Sequence, residues 1–576
     1  MWTQTRQRAV AAIEKHTNLL FSLGVLVACL LALYLRTLHL TDTPARSPDE
    51  RLYTSFALRI AREGLGAYPG IFQSYASDPS QWIYPSPTRV GHVLLFAGVM
   101  KLTGAESAQA GAAVSWFLGS LSVLLLARLA RRYVGAAASV LAALLLASYT
   151  VELEFARRAW GESTAVFLTV CLLWATLALD AAPGERRRWA AFFVLGTFCL
   201  LGKETCIFAY ATCGLWLVAR QWSSARQLRR ALGLCLGGLG SIAAALALLV
   251  WLAGSLELAL AGWWHVFGNG LGSNAWGALH ASGAWYRFLE LLWVVAPLTA
   301  ALATLGVLAV VLPGWSRVFE GQGLEARACA SLCLWLTLGL IAACAFGPNL
   351  QYLRIMAPAN PSYCLLAALG ARALAVLSRD VAEGRLQALG ALLFPPLLAV
   401  AGARDYALYR DVVVRSGMQD LTGRWILEGV ARRQRPELDR TRQALAPGAQ
   451  QPAAPRAASQ DPLQRSLEAC RRGAYADCVA ASQAAIAENP SSPEAWNNAA
   501  AGYSGLGRWD EAIQHASRAL ELRSHFPLAR NNLAWAREQK ARGDAAGVPR
   551  ADHFASSQAP SKSTLTPAEA ASHELP

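Results

Sequence analysis

Apolar runs of about 20 residues recur along the chain from position 18 to position 403, and short polar or basic segments separate them. A helical run of that length matches the thickness of a bilayer. The pattern predicts roughly eleven transmembrane helices, at about 18–36, 108–127, 134–150, 163–180, 189–202, 205–220, 231–254, 286–312, 329–346, 361–378 and 386–403. The predicted fold class is therefore all-α, with a polytopic membrane domain over residues 1–403.

The first apolar run, NLLFSLGVLVACLLALYL, is longer than the core of a signal peptide and lacks a small-residue cleavage site. We expect it to remain in the protein as a helix. A further apolar stretch at 90–102 is predicted to lie flat on the membrane. A crossing at that point would move Arg128, Arg131 and Arg132 to the wrong face.

Basic residues in alternate short loops predict the orientation of the helices. One side holds eighteen of them: Arg6, Arg8, Lys15, Arg128, Arg131, Arg132, Arg186, Arg187, Arg188, Arg220, Arg226, Arg229, Arg230, Arg317, Arg327, Arg372, Arg379 and Arg385. The short loops of the opposite side hold only Arg157, Arg158, Lys203, Arg287 and Arg354. The first side is therefore predicted to be cytoplasmic, and an odd helix count places the C-terminal tail outside. The odd number of helices, and with it the predicted side of the tail, depends on residues 189–220 forming two helices rather than one.

The composition narrows the class of protein. Of the 576 residues, 54% are hydrophobic and 16% are charged, whereas soluble domains carry roughly 25% charged residues. A disordered polymer and a purely soluble enzyme are excluded. The net charge of +14 does not indicate a nucleic-acid partner, because residues 404–576 hold 22 Lys and Arg against 19 Asp and Glu and the excess lies in the membrane loops. The predicted location is a bacterial inner membrane, with multiple passes.

Ten of the twelve cysteines lie in or beside apolar runs without CxxC spacing, and they are interpreted as small core residues: Cys29, Cys171, Cys199, Cys206, Cys213, Cys235, Cys329, Cys333, Cys344 and Cys364. Cys470 and Cys478 lie in the tail. An extracytoplasmic tail would allow these two to pair, although sequence alone does not establish the geometry.

The tail contains an internal repeat. Residues 473–501 align with 507–535 at an offset of 34, which is the spacing of tetratricopeptide repeats. The positions where that motif places packing residues are occupied by Trp496, Tyr503, Gly507, Ala512 and Ala519. A helical repeat domain is therefore predicted over 462–542, and a protein or peptide partner is its expected ligand. The alternative is two unrelated amphipathic helices.

Two further segments complete the predicted organisation. A helical and linker segment is expected at 404–461, with Pro, Ala and Gln concentrated in 443–461. Residues 543–576 are rich in Ser, Ala and Pro and are expected to be disordered.

The segment after the first apolar run contains two adjacent acidic residues. Ser47, Pro48 and Glu50 form a Ser-x-x-Glu capping box with Pro at the first helical position, which predicts an amphipathic helix through about Arg62. The box leaves Asp49 without a structural role. Its carboxylate lies in the first helical turn, where the helix dipole favours the ionised form. An ionised carboxylate at the bilayer surface is able to take a proton from an attacking hydroxyl or amine.

The string PDERLYTSFALRIAREG resembles the first-loop motif of the GT-C membrane glycosyltransferases, in particular family 39. That family contains protein O-mannosyltransferases and lipid A aminoarabinose transferases. The matching positions are Asp49, Glu50, Tyr53, Ala57 and Gly64. Residues 84–104 are similar to the Tyr-Pro-Pro-Leu segment of the family but depart from it at Ser86-Pro87-Thr88, and the basic-ended run that follows resembles the next span.

Three later segments extend the resemblance. ELEFARRAWGESTAVF is similar to an Arg-x-Ala-x-x-Asp segment, with Arg157 or Arg158 as the arginine and Glu162 in place of Asp. LLGKETCIF keeps the lysine of a Lys-Gly segment as Lys203, although Glu204 replaces Gly, and NLQYLRIMAPANP keeps an arginine as Arg354. Together the matches cover residues 15–400 and depend on order as much as on identity.

The resemblance implies a glycosyltransferase that moves a hexosyl or pentosyl group from a polyprenyl-phosphate donor to an acceptor on the extracytoplasmic face. Asp49 would be the base of an inverting displacement. Glu50 and Glu162 complete the implied catalytic set, and the implied phosphate ligands are Arg157, Arg158, Lys203 and Arg354. The loop charges independently place all seven on one face, and ionisable residues at membrane depth indicate a functional site.

Each of these residues also has a structural interpretation. The arginines at 157 and 158 are able to reach lipid headgroups, and only one of the two is expected in the site. Glu162 is able to cap a helix or to pair with Arg158. Lys203 is able to pair with Glu204. Arg354 is able to anchor the chain at the membrane interface. In 263–286, His265 and His280 stand among Trp and Gly residues that suit either a membrane belt or a sugar-stacking surface. No metal or other cofactor is assigned, and the sequence leaves open whether a divalent metal binds.

Two rival classes of function are a multi-spanning transporter and a noncatalytic membrane scaffold that presents the repeats. A transporter favours broken helices and internal repeats at the bilayer midplane, whereas no repeat links the two halves of this membrane region. A scaffold predicts that Asp49 is dispensable. The sequence does not identify the donor sugar or the acceptor.

Overall fold

The structure is a computed structural model, and helices dominate it. It describes residues 2–41, 47–78, 81–82, 85–221, 225–268, 281, 283–312, 318–319, 323–347, 350–381, 385–414, 426–427, 430, 461–471, 474–524 and 526–545. Within these ranges the chain forms helices and no β-strand, so the predicted all-α fold class is confirmed for them. The chain divides into two compact units, Met1–Leu438 and Asp439–Pro576.

The first unit contains the membrane helices. Its α-helices are α1 (Trp2–Thr37), α2 (Pro48–Glu63), α3 (Tyr68–Ser77), α4 (Val90–Thr103), α5 (Ala108–Val134), α6 (Ala136–Ser148), α7 (Thr150–Arg157), α8 (Glu162–Ala181), α9 (Arg186–Gly202), α10 (Glu204–Gln221), α11 (Ala225–Ala253), α12 (Leu256–Gly268), α13 (Tyr286–Val295), α14 (Pro297–Val311), α15 (Gly323–Phe346), α16 (Asn360–Val381) and α17 (Arg385–Leu408). A π-helical turn, Tyr409–Val414, follows α17.

Several of these helices are long and apolar enough to cross a bilayer by themselves. Among the described residues there are six: His16–Thr37, Ala108–Val134, Glu162–Ala181, Leu228–Ala253, Gly323–Phe346 and Ala357–Ser378. The pair formed by α6 and α7, bent by 55°, makes a seventh candidate. The unit is thus an integral membrane domain, while the count of eleven stays a prediction. The stretch predicted to lie flat is the short apolar helix α4.

The bend between α6 and α7 has an identifiable cause. Tyr149 is extended at the junction, so the last carbonyls of α6 lose their helical partners. Arg36 of α1 donates from Nη1 to the carbonyl of Ala147 at 3.1 Å and from Nη2 to that of Leu146 at 3.3 Å. Arg36 is buried, and it replaces the missing donors where water has no access. The bend directs α7 toward the end of the unit where the acidic residues of α2 lie.

The capping box predicted before α2 is present. The Ser47 amide donates to Glu50 Oε2 at 3.0 Å, and the Glu50 amide donates to Ser47 Oγ at 3.4 Å. The helix then buries Tyr53, Ala57 and Ile60, which recur on one face at helical spacing. The predicted helix and its amphipathic face are therefore confirmed.

Most cysteines of the membrane unit are core residues. Seven of the ten are buried: Cys199, Cys206, Cys213, Cys329, Cys333, Cys344 and Cys364. Cys29 and Cys171 are partly buried, and Cys235 on α11 is exposed. The interpretation as a core residue is therefore wrong for Cys235, because this residue lies on the outer face of α11.

The second unit contains five helices: α18 (Pro462–Arg471), α19 (Tyr475–Glu488), α20 (Pro493–Gly505), α21 (Trp509–Leu522) and α22 (Pro527–Ala545). The starts of α19 and α21, and those of α20 and α22, are 34 residues apart, as in the sequence repeat. Asn532 on α22 donates to Asn497 on α20 at 2.9 Å, which joins the two helix pairs. Cys470 and Cys478 form a disulfide with a Cα–Cα distance of 5.0 Å. The tetratricopeptide assignment stays a prediction.

The predicted boundaries compare with the structure as follows. The limit at residue 403 lies inside α17, which continues to Leu408, because the apolar pattern ends before the helix does. The linker at 443–461 lies outside the described residues, except for residue 461. The predicted disordered tail begins within α22, and its remainder, 546–576, is also outside them.

Candidate functional site

The predicted site residues come from four segments of the membrane unit that meet at one end of it. These segments are the start of α2, the corner between α7 and α8, the corner between α9 and α10, and the turn that precedes α16. The structure brings all seven residues into two adjacent groups of ion pairs. We call them the Arg354 cluster (Asp49, Glu162, Lys203 and Arg354) and the buried cluster (Glu50, Glu154, Arg157 and Arg158).

The Arg354 cluster is centred on one guanidinium group. Arg354 donates from Nη2 to Asp49 Oδ2 at 2.8 Å and from Nε to Glu162 Oε1 at 2.6 Å. Lys203 Nζ donates to the same oxygen of Glu162. The pairing of Lys203 with Glu204, which the sequence left open, is not the one that the structure adopts. Burial lowers the pKa of Lys203, and the carboxylate of Glu162 opposes that shift.

The members of the Arg354 cluster differ in their access to solvent. The Asp49 side chain is 20% exposed and that of Arg354 is 12% exposed, whereas Glu162 is fully buried. The second oxygen of Glu162, Oε2, is buried and has no hydrogen-bond partner among the described residues. The partly exposed carboxylate of Asp49 therefore lies beside the partly exposed guanidinium group of Arg354. Arg354 also contacts the buried carboxylate of Glu162, whose second oxygen is still able to accept a hydrogen bond.

The buried cluster joins α2 to the corner between α7 and α8. Arg158 donates from Nη1 to Glu50 Oε2 at 2.9 Å and from Nε to Glu154 Oε1 at 2.7 Å. Arg157 Nε donates to the other oxygen of Glu154. The side chains in these pairs are at most 1% exposed. Glu50 also accepts from the Ala159 amide at 2.9 Å, so it is fixed from both segments.

This placement bears on three of the predicted roles. Arg157 and Arg158 are both buried and both paired with Glu154, so neither guanidinium group is open to a headgroup or to a donor phosphate. Glu50 is likewise enclosed. The geometry favours a supporting function for all three side chains, because a buried ion pair holds the segments that it joins.

Trp160 lies between the two clusters and is fully buried. The guanidinium carbon of Arg354 is 4.1 Å from the centroid of the ring, and that of Arg158 is 5.0 Å from it. The indole N–H donates to Ser47 Oγ at 2.9 Å. The ring thus positions Arg354 by a cation–π contact. Sequence reasoning missed this role, although a Trp two residues after Arg158 was an available signal.

A third ion pair lies next to Lys203. Arg89, which precedes α4, donates from Nε to both oxygens of Glu204 at 2.9 Å. Arg89 also donates to the hydroxyl of Tyr53 on α2. Burial raises the pKa of Tyr53, so this hydroxyl stays neutral. Sequence reasoning missed Arg89, and the available signal was an arginine immediately before an apolar run.

Of the two histidines that raised the question of a metal, the structure describes only His265, which is not a member of either cluster. His265 on α12 stacks on Trp82, with ring centroids 3.6 Å apart and planes 10° apart. His280 is outside the described residues. In the described part of the chain, His, Cys, Asp and Glu residues form no group of three or more that is suited to a metal ion.

Comparison with known proteins supports the resemblance seen in the motifs. Residues 90–251 match the family model described as dolichyl-phosphate-mannose-protein mannosyltransferase. The matched segment begins at α4 and ends within α11, and it contains Arg157, Arg158, Glu162 and Lys203. The predicted resemblance to membrane glycosyltransferases of the GT-C type is confirmed. No curated protein matches the chain.

Solved structures give a more distant likeness. The crystal structure of ArnT from Cupriavidus metallidurans bound to undecaprenyl phosphate is 16% identical and covers 74% of this chain and 81% of its own, with a TM-score of 0.41. The oligosaccharyltransferase AglB from Archaeoglobus fulgidus, in complex with an inhibitory peptide and a dolichol-phosphate, is 14% identical and covers 70% of this chain and 56% of its own, with a TM-score of 0.44.

Proposed function

We propose that this protein transfers a sugar from a polyprenyl-phosphate donor to an acceptor on the extracytoplasmic face of a membrane. The observation that carries the proposal is the contact between Asp49 and Arg354 at 2.8 Å. It places an accessible carboxylate, suited to act as a base, beside a cation suited to a phosphate. The family match over residues 90–251 supports a lipid-phosphate sugar as the donor.

The proposed reaction is a direct displacement at the anomeric carbon. The acceptor hydroxyl or amine forms a bond to that carbon while the bond from the carbon to the phosphate oxygen breaks. Asp49 takes the proton of the acceptor, and polyprenyl phosphate leaves with the bonding electron pair. Because attack and departure occur on opposite faces of the sugar, the anomeric configuration inverts. Asp49 then returns its proton to solvent.

The cations of the Arg354 cluster would receive the phosphate. Arg354 offers a planar guanidinium group and Lys203 offers a point charge. In the structure, Asp49 occupies one donor of Arg354 and Glu162 occupies another. A donor phosphate that binds Arg354 would compete with Asp49 and release its carboxylate toward the acceptor. The partnerless Oε2 of Glu162 would accept a hydroxyl of the substrate and orient it.

The buried cluster has a different proposed role. Glu50, Arg157 and Arg158 are positioning residues, which hold the start of α2 against the corner between α7 and α8. Asp49 lies in the first turn of α2 and Glu162 lies at the start of α8. The junction between these segments therefore sets the distance between the two carboxylates. Glu50, Arg157 and Arg158 are enclosed by the protein, so a substrate has no access to their charged groups. This argues against direct catalysis by Glu50 and against phosphate contacts from the two arginines.

The second unit is the proposed site for a protein or peptide partner. Short arrays of repeated helix pairs commonly bind extended peptides on their concave surface. The disulfide between Cys470 and Cys478 supports an extracytoplasmic location, where thiols are oxidised. Alkaline phosphatase fused after residue 461 is expected to be active, and an inactive fusion would overturn the orientation.

The purified full-length protein in lipid nanodiscs provides the main test. It is incubated with labelled polyprenyl-phosphate sugars and with peptide and lipid acceptors, and the product is analysed for its anomeric configuration. We expect transfer with inversion by the wild type and its loss in Asp49→Asn. Undiminished transfer by Asp49→Asn would refute the proposed mechanism, and a retained configuration would refute direct displacement.

A further inference from the structure

His92 on α4 is a buried histidine to which the proposed reaction assigns no role. Its Nε2 is 3.2 Å from the carbonyl oxygen of Ala159, and its Nδ1 is 3.1 Å from Thr164 Oγ1. Ala159 lies in the corner between α7 and α8, and Thr164 lies in the first turn of α8. The ring therefore spans the segment that carries Trp160 and Glu162.

The partners of His92 determine which ring nitrogen carries the proton. A backbone carbonyl only accepts, so Nε2 donates to Ala159. Burial lowers the pKa of His92 to about 4, so the ring is neutral at neutral pH. A neutral ring has one N–H, and Nδ1 is then an acceptor for the hydroxyl of Thr164. Because both nitrogens are occupied and the ring is shielded from solvent, His92 is not placed to exchange a proton with a substrate.

The corner between α7 and α8 is a stretch of buried backbone outside the helices. Helix α7 ends at Arg157 and α8 begins at Glu162, so the polar groups between them lack regular helical partners. The Ala159 amide donates to Glu50 Oε1 at 2.9 Å, and the Ala159 carbonyl accepts from His92. Side chains of α2 and α4 thus satisfy both backbone groups of one residue, and an unpaired buried carbonyl would be costly.

Close packing encloses the same corner. A Cβ atom at Gly111 of α5 would lie 2.6 Å from Ala159 Cβ, so the absence of a side chain lets α5 approach the corner. The ring of His92 stands edge-on to that of Tyr53 on α2, with centroids 5.0 Å apart and planes 75° apart. A Cβ atom at Gly161 would lie 3.7 Å from both His92 Cγ and the Tyr53 hydroxyl. Both rings therefore lie next to the backbone of the corner.

The corner connects His92 to the proposed reaction. Trp160 lies in the corner, and its ring centroid is 4.1 Å from the guanidinium carbon of Arg354. Glu162, at the start of α8, accepts from Arg354 Nε at 2.6 Å. Arg354 in turn donates to Asp49 at 2.8 Å. A shift of the corner would move both of the contacts that orient Arg354, and a misplacement of about 1 Å is able to lower a rate by about 10².

We propose that His92 is a positioning residue of the transfer reaction, which fixes the corner between α7 and α8 through the bond from its Nε2 to the Ala159 carbonyl. The inference rests on the proposed function. His92 does not contact the reacting atoms and acts through Trp160 and Glu162. The two nitrogens have different tasks: Nε2 holds the backbone of the corner, and the bond that Nδ1 accepts from Thr164 orients the ring.

Three substitutions and one control, in the full chain in nanodiscs, separate positioning from general stability. His92→Leu removes both hydrogen bonds and is expected to lower the single-turnover rate per folded molecule by about 10² at saturating donor. His92→Gln keeps an amide N–H near the position of Nε2 and should restore most of the rate. His92→Asn keeps only an acceptor near the position of Nδ1 and should not. Ser122→Ala is the control, because this buried hydroxyl donates within its own helix, to the carbonyl of Leu118.

A second measurement tests the hydrogen bonds of His92 without relying on activity. The full chain is labelled with nitrogen-15 histidine, and the signals of His92 are identified by their loss in His92→Gln. At neutral pH they are expected to show a neutral ring with its proton on Nε2, because the carbonyl of Ala159 only accepts. A charged ring, or a proton on Nδ1, would overturn the inference.

The outcomes separate this inference from the proposed function. Equal rates per folded molecule in His92→Gln and His92→Asn would refute positioning through Nε2 and leave the glycosyltransferase standing. A wild-type rate in His92→Leu would refute it as well. Absence of transfer by the wild type from every donor would instead count against the proposed function, while the nitrogen spectrum still decides the hydrogen bonds of His92.

Discussion

Asp49 and Glu50 are adjacent carboxylates in the first turn of one helix, yet they occupy opposite environments. Asp49 is 20% exposed and contacts Arg354, whereas Glu50 is fully buried and accepts from Ser47, Arg158 and the Ala159 amide. Successive helical residues point in directions about 100° apart, which separates the two side chains. The comparison shows that the two acidic residues of one motif have different roles. Asp49 remains accessible for chemistry, and Glu50 fixes the helix that carries Asp49.

The largest effect is expected from Glu154→Ala in the buried cluster. The change leaves Arg157 and Arg158 without a shared carboxylate in a buried position, and breaking a buried ion pair costs about 3–5 kcal/mol. We expect a strong loss of folded protein, measured as monodisperse yield and thermal midpoint after extraction. Glu106→Ala is the control, since Glu106 pairs with Arg62 at an exposed site. Normal stability of Glu154→Ala would contradict a supporting role for the cluster.

Arg354→Gln is expected to act on catalysis rather than on folding. Arg354 is the one group that contacts both Asp49 and Glu162 among the described ion pairs. Removal of a preorganised donor from a developing charge lowers kcat by about 10²–10³. Single-turnover transfer at saturating donor measures this effect, with the thermal midpoint recorded beside it. A variant that loses stability and keeps its rate per folded molecule would place Arg354 with the supporting residues.

Cys470→Ser tests whether the two units are energetically separate. Loss of the disulfide is expected to destabilise the second unit by about 2–3 kcal/mol, because the unfolded chain regains freedom. Hydrogen exchange of the full chain should show reduced protection in 462–545 and no change in α2 or α8. Cys235→Ser, on an exposed thiol of α11, serves as the control. Equal loss of protection in the membrane helices would show that the units are coupled.

The smallest effect is expected from Trp160→Phe. The ring that contacts Arg354 and Arg158 is retained, while the hydrogen bond from the indole to Ser47 Oγ is lost. A single neutral hydrogen bond contributes about 1 kcal/mol. The thermal midpoint should therefore fall slightly, with transfer nearly preserved. Trp160→Ala, which also removes the cation–π contacts, should reduce the transfer rate, and equal rates for the two variants would contradict a positioning role for the ring.

Local sequence signals predicted the parts of this site that depend on neighbouring residues. The capping box of Ser47 and Glu50 was predicted because its bonds span three residues. The grouping of Asp49, Glu162, Lys203 and Arg354 at one end followed from the alternation of apolar runs and basic loops.

Specific pairings were not predictable in the same way. Arg89 and Glu204 are separated by 115 residues, and their contact depends on how α4 packs against the corner of α9 and α10. The burial of Arg157 and Arg158 depends on Glu154, which the apolar pattern gave no reason to single out. Side-chain partners across helices are decided by tertiary packing, which the helical period alone does not encode.

The division of work between Asp49 and Glu50 is tested most directly by single-turnover transfer in Asp49→Asn at saturating donor. The rate per folded molecule should fall by about 10²–10⁴, as expected for loss of a general base. Donor affinity should be retained or increased, because Arg354 no longer pairs with a carboxylate at position 49. A rate equal to that of the wild type, at equal donor occupancy, would contradict the account.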